Sequence, residues 1–111
     1  MEKLVLERKV EDLLNRDLYP MLKKFPKAEK FSLCQGIKAC CYEMLRFTLL
    51  ANGVKSKRRT YQEHIDANQK LLLVLLSVAC EQRYITRKKL EYLQGKLFEI
   101  GRILGGWMRS S

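Results

Sequence analysis

The sequence contains few residues that interrupt helices and no segment long enough to cross a membrane. Two prolines and six glycines among 111 residues favour long helices. The longest apolar stretch runs from Leu71 to Cys80 with Ser77 inside it, whereas a spanning helix needs about 20 residues. The charged N-terminus has no apolar region typical of a signal peptide. We therefore expect a cytoplasmic protein without a membrane partner.

Residues suited to metal binding or catalysis are also scarce. The four cysteines form no C-x-x-C pair, and the single histidine, His64, is far from them in sequence. Structural zinc sites need closer ligand spacing, so we expect free, buried cysteines that act as small apolar residues. The chain has no phosphate-binding glycine loop and no nucleophile obviously paired with His64. These features predict a non-enzyme without a metal or other cofactor.

Apolar periodicity predicts four helices in one domain that spans residues 1–111. The composition, 47% apolar and 31% charged, is typical of a folded globular chain. Apolar residues recur at spacings of three and four, and strand-like alternation is missing. The expected helices span about 3–25, 28–51, 60–82 and 86–109. Short connections between them predict an all-α, antiparallel up-down-up-down four-helix bundle.

Local signals set the expected helix ends and core faces. Pro20 is expected to kink the first helix, residues 60–63 fit a capping box, and Thr86 is expected to cap the fourth helix. The inward residues of the first helix are predicted as Val10, Leu13, Leu14, Leu18, Met21 or Leu22, and Phe25. Those of the second are predicted as Phe31, Cys34, Ile37, Cys41, Met44, Leu45 and Thr48. The fourth is predicted to bury Leu90, Leu93, Leu97, Ile100, Leu104 and Trp107.

Three glycines, Gly101, Gly105 and Gly106, lie in the last turns of the predicted fourth helix, within residues 99–107. Each glycine costs a helix about 1 kcal/mol relative to alanine. Gly101 and Gly105 are four residues apart and share one face, which favours close approach of a neighbouring backbone. A frayed C-terminus that tolerates glycine is the alternative.

The third helix has an apolar run at 71–76 that surrounds the helix on all sides. A lone four-helix bundle leaves each helix with one wet side, so this helix is either central or covered by another subunit. We favour the subunit interface. Its candidate residues are Leu71, Leu72, Leu73, Leu75 and Leu76.

The formal charge of +10 is concentrated in the three connections and their flanks. Residues 20–30 carry +3, residues 53–60 carry +4, and residues 81–92 carry +2. In an up-down bundle the first and third connections lie at the same end. The candidate nucleic-acid-binding residues are Lys23, Lys24, Lys27, Lys30, Lys55, Lys57, Arg58, Arg59, Arg83, Arg87, Lys88 and Lys89.

Such dense positive charge, repeated around an oligomer, attracts polyanions through phosphate contacts and counterion release. Solubility alone is the alternative, although it needs less net charge. Tyr61, Tyr84 and Tyr92 lie in or beside the basic segments. Their rings either stack on unpaired bases or pack in the fold.

Three segments resemble a known family. Residues 25–35 (FPKAEKFSLCQ) are similar to the start of the second helix in the four-helix-bundle family that includes proteins encoded in intervening sequences of bacterial large-subunit ribosomal RNA. Residues 49–53 (LLANG) depart from that family's usual NIAEG run. Residues 99–107 (EIGRILGGW), with Leu18-Tyr19-Pro20, resemble its branch of accessory variability determinants (Avd) of diversity-generating retroelements.

The Avd resemblance implies a homopentameric, barrel-shaped assembly that binds a reverse transcriptase and its template RNA and has no catalytic activity of its own. DNA or an RNA/DNA hybrid is an alternative nucleic-acid ligand. No individual RNA-contacting residue is carried over by motif, so the candidate sites rest on charge placement. A structural or protein-binding bundle without a retroelement role is the alternative function.

Overall fold

A computed structural model describes the backbone of residues 2–111 and the side chains from Val5 onward. Across this range the chain is all-α, with four long helices and no strand. Helix α1 covers 2–22 in three consecutive segments, α2 is Leu33–Gly53, α3 is Arg58–Glu81 and α4 is Arg87–Ser110. Each helix packs on its neighbours in chain order, and α1 also packs on α4. The predicted four-helix bundle is confirmed for the protomer.

The predicted apolar faces form one continuous core. Every inward residue predicted for α1 and α4 is buried, including both Met21 and Leu22. In α2 the predicted Cys34, Ile37 and Met44 are buried, as are Cys41 and Thr48. Leu45 is only partly buried but packs against the core. Residue spacing alone was therefore sufficient to predict most of the residues that each of these helices buries.

The first helix changes its geometry just before Pro20. An α-helical segment, Glu2–Asp12, continues into a π-helical segment, Leu13–Leu18, and then into a final turn, Tyr19–Leu22. Pro20 has no N–H to donate to a carbonyl one turn back. The N–H of the preceding residue, Tyr19, donates to the Leu14 carbonyl, which is five residues earlier and not the four of an α-helix. A kink was predicted at Pro20; the structure shows a wider, π-helical turn just before it, in which Leu13, Leu14 and Leu18 are buried.

The expected start of the second helix is wrong by five residues. Pro26 is extended, a 3-10 turn follows at Lys27–Glu29, and α2 begins only at Leu33. Phe31 therefore lies in a turn, and its side chain is 84% exposed rather than buried. Helical spacing could not place this ring because the chain is not α-helical there.

The capping box expected at 60–63 does not form. Helix α3 starts at Arg58, directly after the 3-10 turn Lys55–Lys57, and the side chain of Lys57 before it makes no capping hydrogen bond. Thr60 is already inside the helix, and Gln62 is buried. The predicted cap of α4 is confirmed, since Thr86 Oγ1 accepts a hydrogen bond from the Lys89 N–H at 3.0 Å.

The glycines of α4 have unequal surroundings. A Cβ added at Gly101 would lie 3.3 Å from Nε2 of Gln69, a buried side chain of α3 that donates to the Leu97 carbonyl at 3.2 Å. The close approach predicted at Gly101 therefore comes from a side chain, not from a backbone. Among the described side chains, a Cβ added at Gly105 would contact only Arg109 of its own helix, and α4 continues without a break to Ser110.

The cysteines are free, and Cys34, Cys40 and Cys41 are buried. Burial raises the pKa of Cys40 to about 11 and that of Cys41 to about 12. Both thiols are therefore protonated at neutral pH and act as small apolar groups. Among the helices described, none is both long and apolar enough to span a bilayer.

Candidate nucleic-acid interface

The bundle brings the first and third connections together at one end, which we call the basic end (residues 23–32 and 82–89). The Tyr84 hydroxyl donates to Glu29 Oε2 at 2.8 Å, and the Tyr84 ring lies 5.2 Å from that of Phe25. The second connection lies at the opposite end beside the C-terminus, where Arg59 Nη1 donates to the Met108 carbonyl at 3.4 Å.

Eight of the candidate basic residues lie at the basic end, and no acidic partner among the described residues neutralises their charged groups. Seven are exposed and Lys89 is partly buried. In the part of the chain that the structure describes, none of the eight forms an ion pair or a side-chain hydrogen bond. These cations remain available to phosphates. They are Lys23, Lys24, Lys27, Lys30, Arg83, Arg87, Lys88 and Lys89.

A groove of about 670 Å³ runs between the C-terminal part of α1 and the connection from α3 to α4. Five basic residues and one acidic residue line it, and apolar parts of Pro20, Met21 and Ile85 contribute to its wall. The acid, Asp17, accepts a hydrogen bond from the Tyr92 hydroxyl at 3.0 Å. The groove is therefore strongly positive and concave, a combination that concentrates anions. The basic lining residues are Arg16, Lys24, Arg83, Arg87 and Lys89.

Arg83 is held at the groove in an unusual backbone conformation. Its φ of 66° is the only positive value among the described non-glycine residues. The N–H of Tyr84 donates to the Ala79 carbonyl and the N–H of Arg83 to the Cys80 carbonyl, both at 2.9 Å. This is the Schellman end of α3, and the position of Arg83 in it is usually glycine. The turn directs the chain so that Arg83 and Arg87 both line the groove.

Glu29 links the two connections. Hydrogen bonds from Ser32 and Tyr84 lower the pKa of Glu29, and the same contact with Glu29 raises the pKa of the Tyr84 hydroxyl. The carboxylate is thus ionised at neutral pH. It fixes the relative position of the two basic connections instead of neutralising a lysine.

The arginines of the opposite end have structural contacts. Arg58 Nε donates to the Ala51 carbonyl at 2.8 Å, near the C-terminus of α2, which is a favourable position for a cation. Arg59 contacts the Met108 carbonyl and lies 3.8 Å from Glu63. Lys55 and Lys57 are exposed. This end therefore offers fewer uncommitted charges than the basic end.

The three tyrosines considered for base stacking are engaged within the fold. Tyr61 packs on Phe47 with ring centroids 5.9 Å apart, and Tyr84 packs on Phe25. Tyr92 is 47% exposed, but Lys89 and Lys96 lie over its ring at 5.3 and 5.4 Å. These contacts favour the packing alternative for all three rings.

The structure divides the apolar run of α3 between two surfaces. Leu72 and Leu76 are fully buried in the protomer's own core and cannot contribute to a subunit interface in this fold. Leu71 is 48% exposed, and Leu73 and Leu75 are partly buried. Val74 and Val78, which the sequence prediction omitted, continue the exposed stripe with Leu71 on the outer face of α3.

A family model described as bAvd-like matches residues 4–111. The chain belongs to the bAvd-like family. This membership confirms the resemblance to accessory variability determinants that segments 18–20 and 99–107 indicated. The searches of curated proteins and of solved structures found no match.

Two further basic residues near the basic end were not predicted from the sequence. Arg16 belongs to the body of α1, yet it lines the groove with Lys24, two helical turns later. Lys38 lines a smaller cavity of about 260 Å³ on the other side of the first connection, with Lys23, Lys27 and Lys30. A search restricted to connections could not find them, because each projects from a helix beside a connection.

Proposed function

We propose that this protein is the non-catalytic accessory subunit of a diversity-generating retroelement. It binds the structured template RNA and the reverse transcriptase and thereby supports mutagenic cDNA synthesis. Membership of the bAvd-like family supports the accessory role. The observation that carries the RNA-binding part is the basic end, where eight cations without an ion pair among the described residues flank a concave groove. The polymerase supplies the catalytic groups.

We further propose that the protein acts as a homo-oligomer, a pentamer in keeping with its Avd-like character. The exposed stripe of Leu71, Val74 and Val78 supports an assembly, because a protomer alone leaves these side chains in water. Repetition of the basic end around the assembly gives several attachment points for one RNA. Such multivalency raises the effective concentration of each further contact.

Reconstitution tests the proposal directly. The protein is mixed with a reverse transcriptase and template RNA from one retroelement, and co-purification and cDNA yield are measured with and without it. We expect a three-part complex and cDNA synthesis that depends on the protein. Equal cDNA yield in its absence, together with no co-purification, would show that the retroelement assignment is wrong. Retention of the polymerase without any RNA binding at low salt would favour the protein-binding bundle instead.

A further inference from the structure

Phe31 is the most exposed large apolar side chain among those described, with 84% of its surface in contact with solvent. It lies in the turn that joins the 3-10 segment Lys27–Glu29 to α2. Phe25, in the same connection, is buried and packs on Tyr84. The fold thus uses one of these two rings for its core and leaves the other on the surface.

The surroundings of Phe31 are cationic. Lys27 and Lys30 are exposed, and Lys30 Nζ lies 5.5 Å from the centroid of the Phe31 ring. The nearest acid in sequence, Glu29, is held by Ser32 and Tyr84. The basic end of a second copy of this chain would bring like charges together here, because its lysines and arginines are also exposed. The surface instead fits a polyanion that also presents an apolar, flat group.

Nucleic acid with unpaired bases has both properties. Phosphates attract lysines, and the π-face of any base can stack on an aromatic ring. Among the other aromatic rings near this end, Tyr84 packs on Phe25. Tyr92 is less exposed than Phe31, and its hydroxyl is bonded to Asp17. Phe31 has a cation near its ring and most of its surface open.

We propose that Phe31, with Lys27 and Lys30, forms a stacking site for an unpaired base in a single-stranded segment of the bound RNA. This inference rests on the proposed RNA binding and specifies one of its contacts. It assigns base stacking to the first connection, while the groove beside Arg83 and Arg87 contacts backbone phosphates.

The test compares Phe31→Leu with wild type on three probes of equal length, measured by fluorescence anisotropy. The probes are a single-stranded RNA, the same backbone with abasic positions, and a perfect RNA duplex. We expect Phe31→Leu to weaken single-strand binding by at least about fivefold and to leave abasic and duplex binding unchanged. Phe98→Leu is the matched control, because Phe98 is also exposed, at 60%, but belongs to the body of α4.

A second variant tests whether the ring itself contacts the base. Phe31→Trp retains an aromatic face, so we expect affinity close to that of wild type. Its added emission should be quenched by the single strand and not by the abasic probe. The native Trp107 is buried and provides a constant background. Circular dichroism checks that each variant is folded, as the exposure of residue 31 leads us to expect.

The outcomes separate the two proposals. If wild type binds the probes and Phe31→Leu binds each of them as tightly as wild type does, the stacking site is wrong and RNA binding stands. The stacking site is also wrong if Phe31→Leu weakens all three probes alike, because the ring then supports the phosphate contacts only. If wild type binds none of the probes at low salt, both proposals are overturned.

Discussion

Replacement of Arg83 by glycine should raise stability and weaken RNA binding at the same time. Arg83 has a φ of 66° at the Schellman end of α3. The left-handed conformation costs a residue with a Cβ roughly 1–2 kcal/mol, whereas glycine adopts it freely. Part of this gain is lost because glycine makes the unfolded chain more flexible. We expect a net increase of about 0.5–1 kcal/mol in the free energy of unfolding.

The stability arm is measured by urea unfolding at constant protein concentration, because an oligomer's stability depends on concentration. An unchanged m-value with a higher midpoint identifies a change in stability. The corresponding rise in Tm is about 2–5 °C. Arg83→Gln is the control, since it removes the charge and keeps the strained backbone. We expect Arg83→Gln to show no gain in stability.

The binding arm uses the same two variants. Both lose one phosphate contact at the groove, so both should make the slope of log K against log salt shallower by about 0.7 on single-stranded RNA. A destabilised Arg83→Gly would show that the turn does not need a left-handed residue. An unchanged salt slope in both variants would show that Arg83 does not contact RNA.

Three further predictions follow from packing and burial. Gly95→Ala should stabilise the protein by up to about 1 kcal/mol in urea unfolding, since no described neighbour lies within 4 Å of an added Cβ. Gly101→Ala should stabilise it clearly less, because the added Cβ crowds Gln69. Equal stabilisation by the two variants would contradict the packing described. Leu71→Glu with Val74→Glu should dissociate the proposed assembly in sedimentation while helicity by circular dichroism is retained, and an unchanged sedimentation coefficient would exclude this stripe from the interface. Cys40 and Cys41, whose pKa values burial raises to about 11 and 12, should react with a thiol reagent at pH 8 only after denaturant is added; rapid reaction in the native state would contradict their burial.

The helical core could be predicted because it depends on spacing alone. The α4 residues from Leu90 to Trp107 follow a strict pattern of three and four, and all six predicted residues are buried. The cap at Thr86 could be predicted for a similar reason, since the signal and the contact are both local. Periodicity also predicted an apolar excess on α3, and the stripe through Leu71 is exposed in the protomer.

Features that depend on non-helical turns could not be predicted in the same way. Phe31 was expected in the core because its spacing fits α2, but the 3-10 turn before Leu33 moves it to the surface. The left-handed Arg83 was also missed, because the sequence places no glycine where α3 ends. Both residues lie at the basic end, where turn geometry decides which side chains reach solvent. The charge there was evident from sequence, but the concave shape required the packing of α1 beside the third connection.

The salt dependence of RNA binding tests the central claim, that the basic end is the RNA-binding surface. Arg87→Gln with Lys89→Gln removes two charges that line the groove. Lys55→Gln with Lys57→Gln removes two exposed charges at the opposite end and serves as the matched control. We predict that the groove variant makes the slope of log K against log salt shallower by about 1.4 on single-stranded RNA, while the control pair keeps the wild-type slope. A wild-type slope in the groove variant, with a reduced slope in the control pair, would contradict the claim and place the RNA at the opposite end.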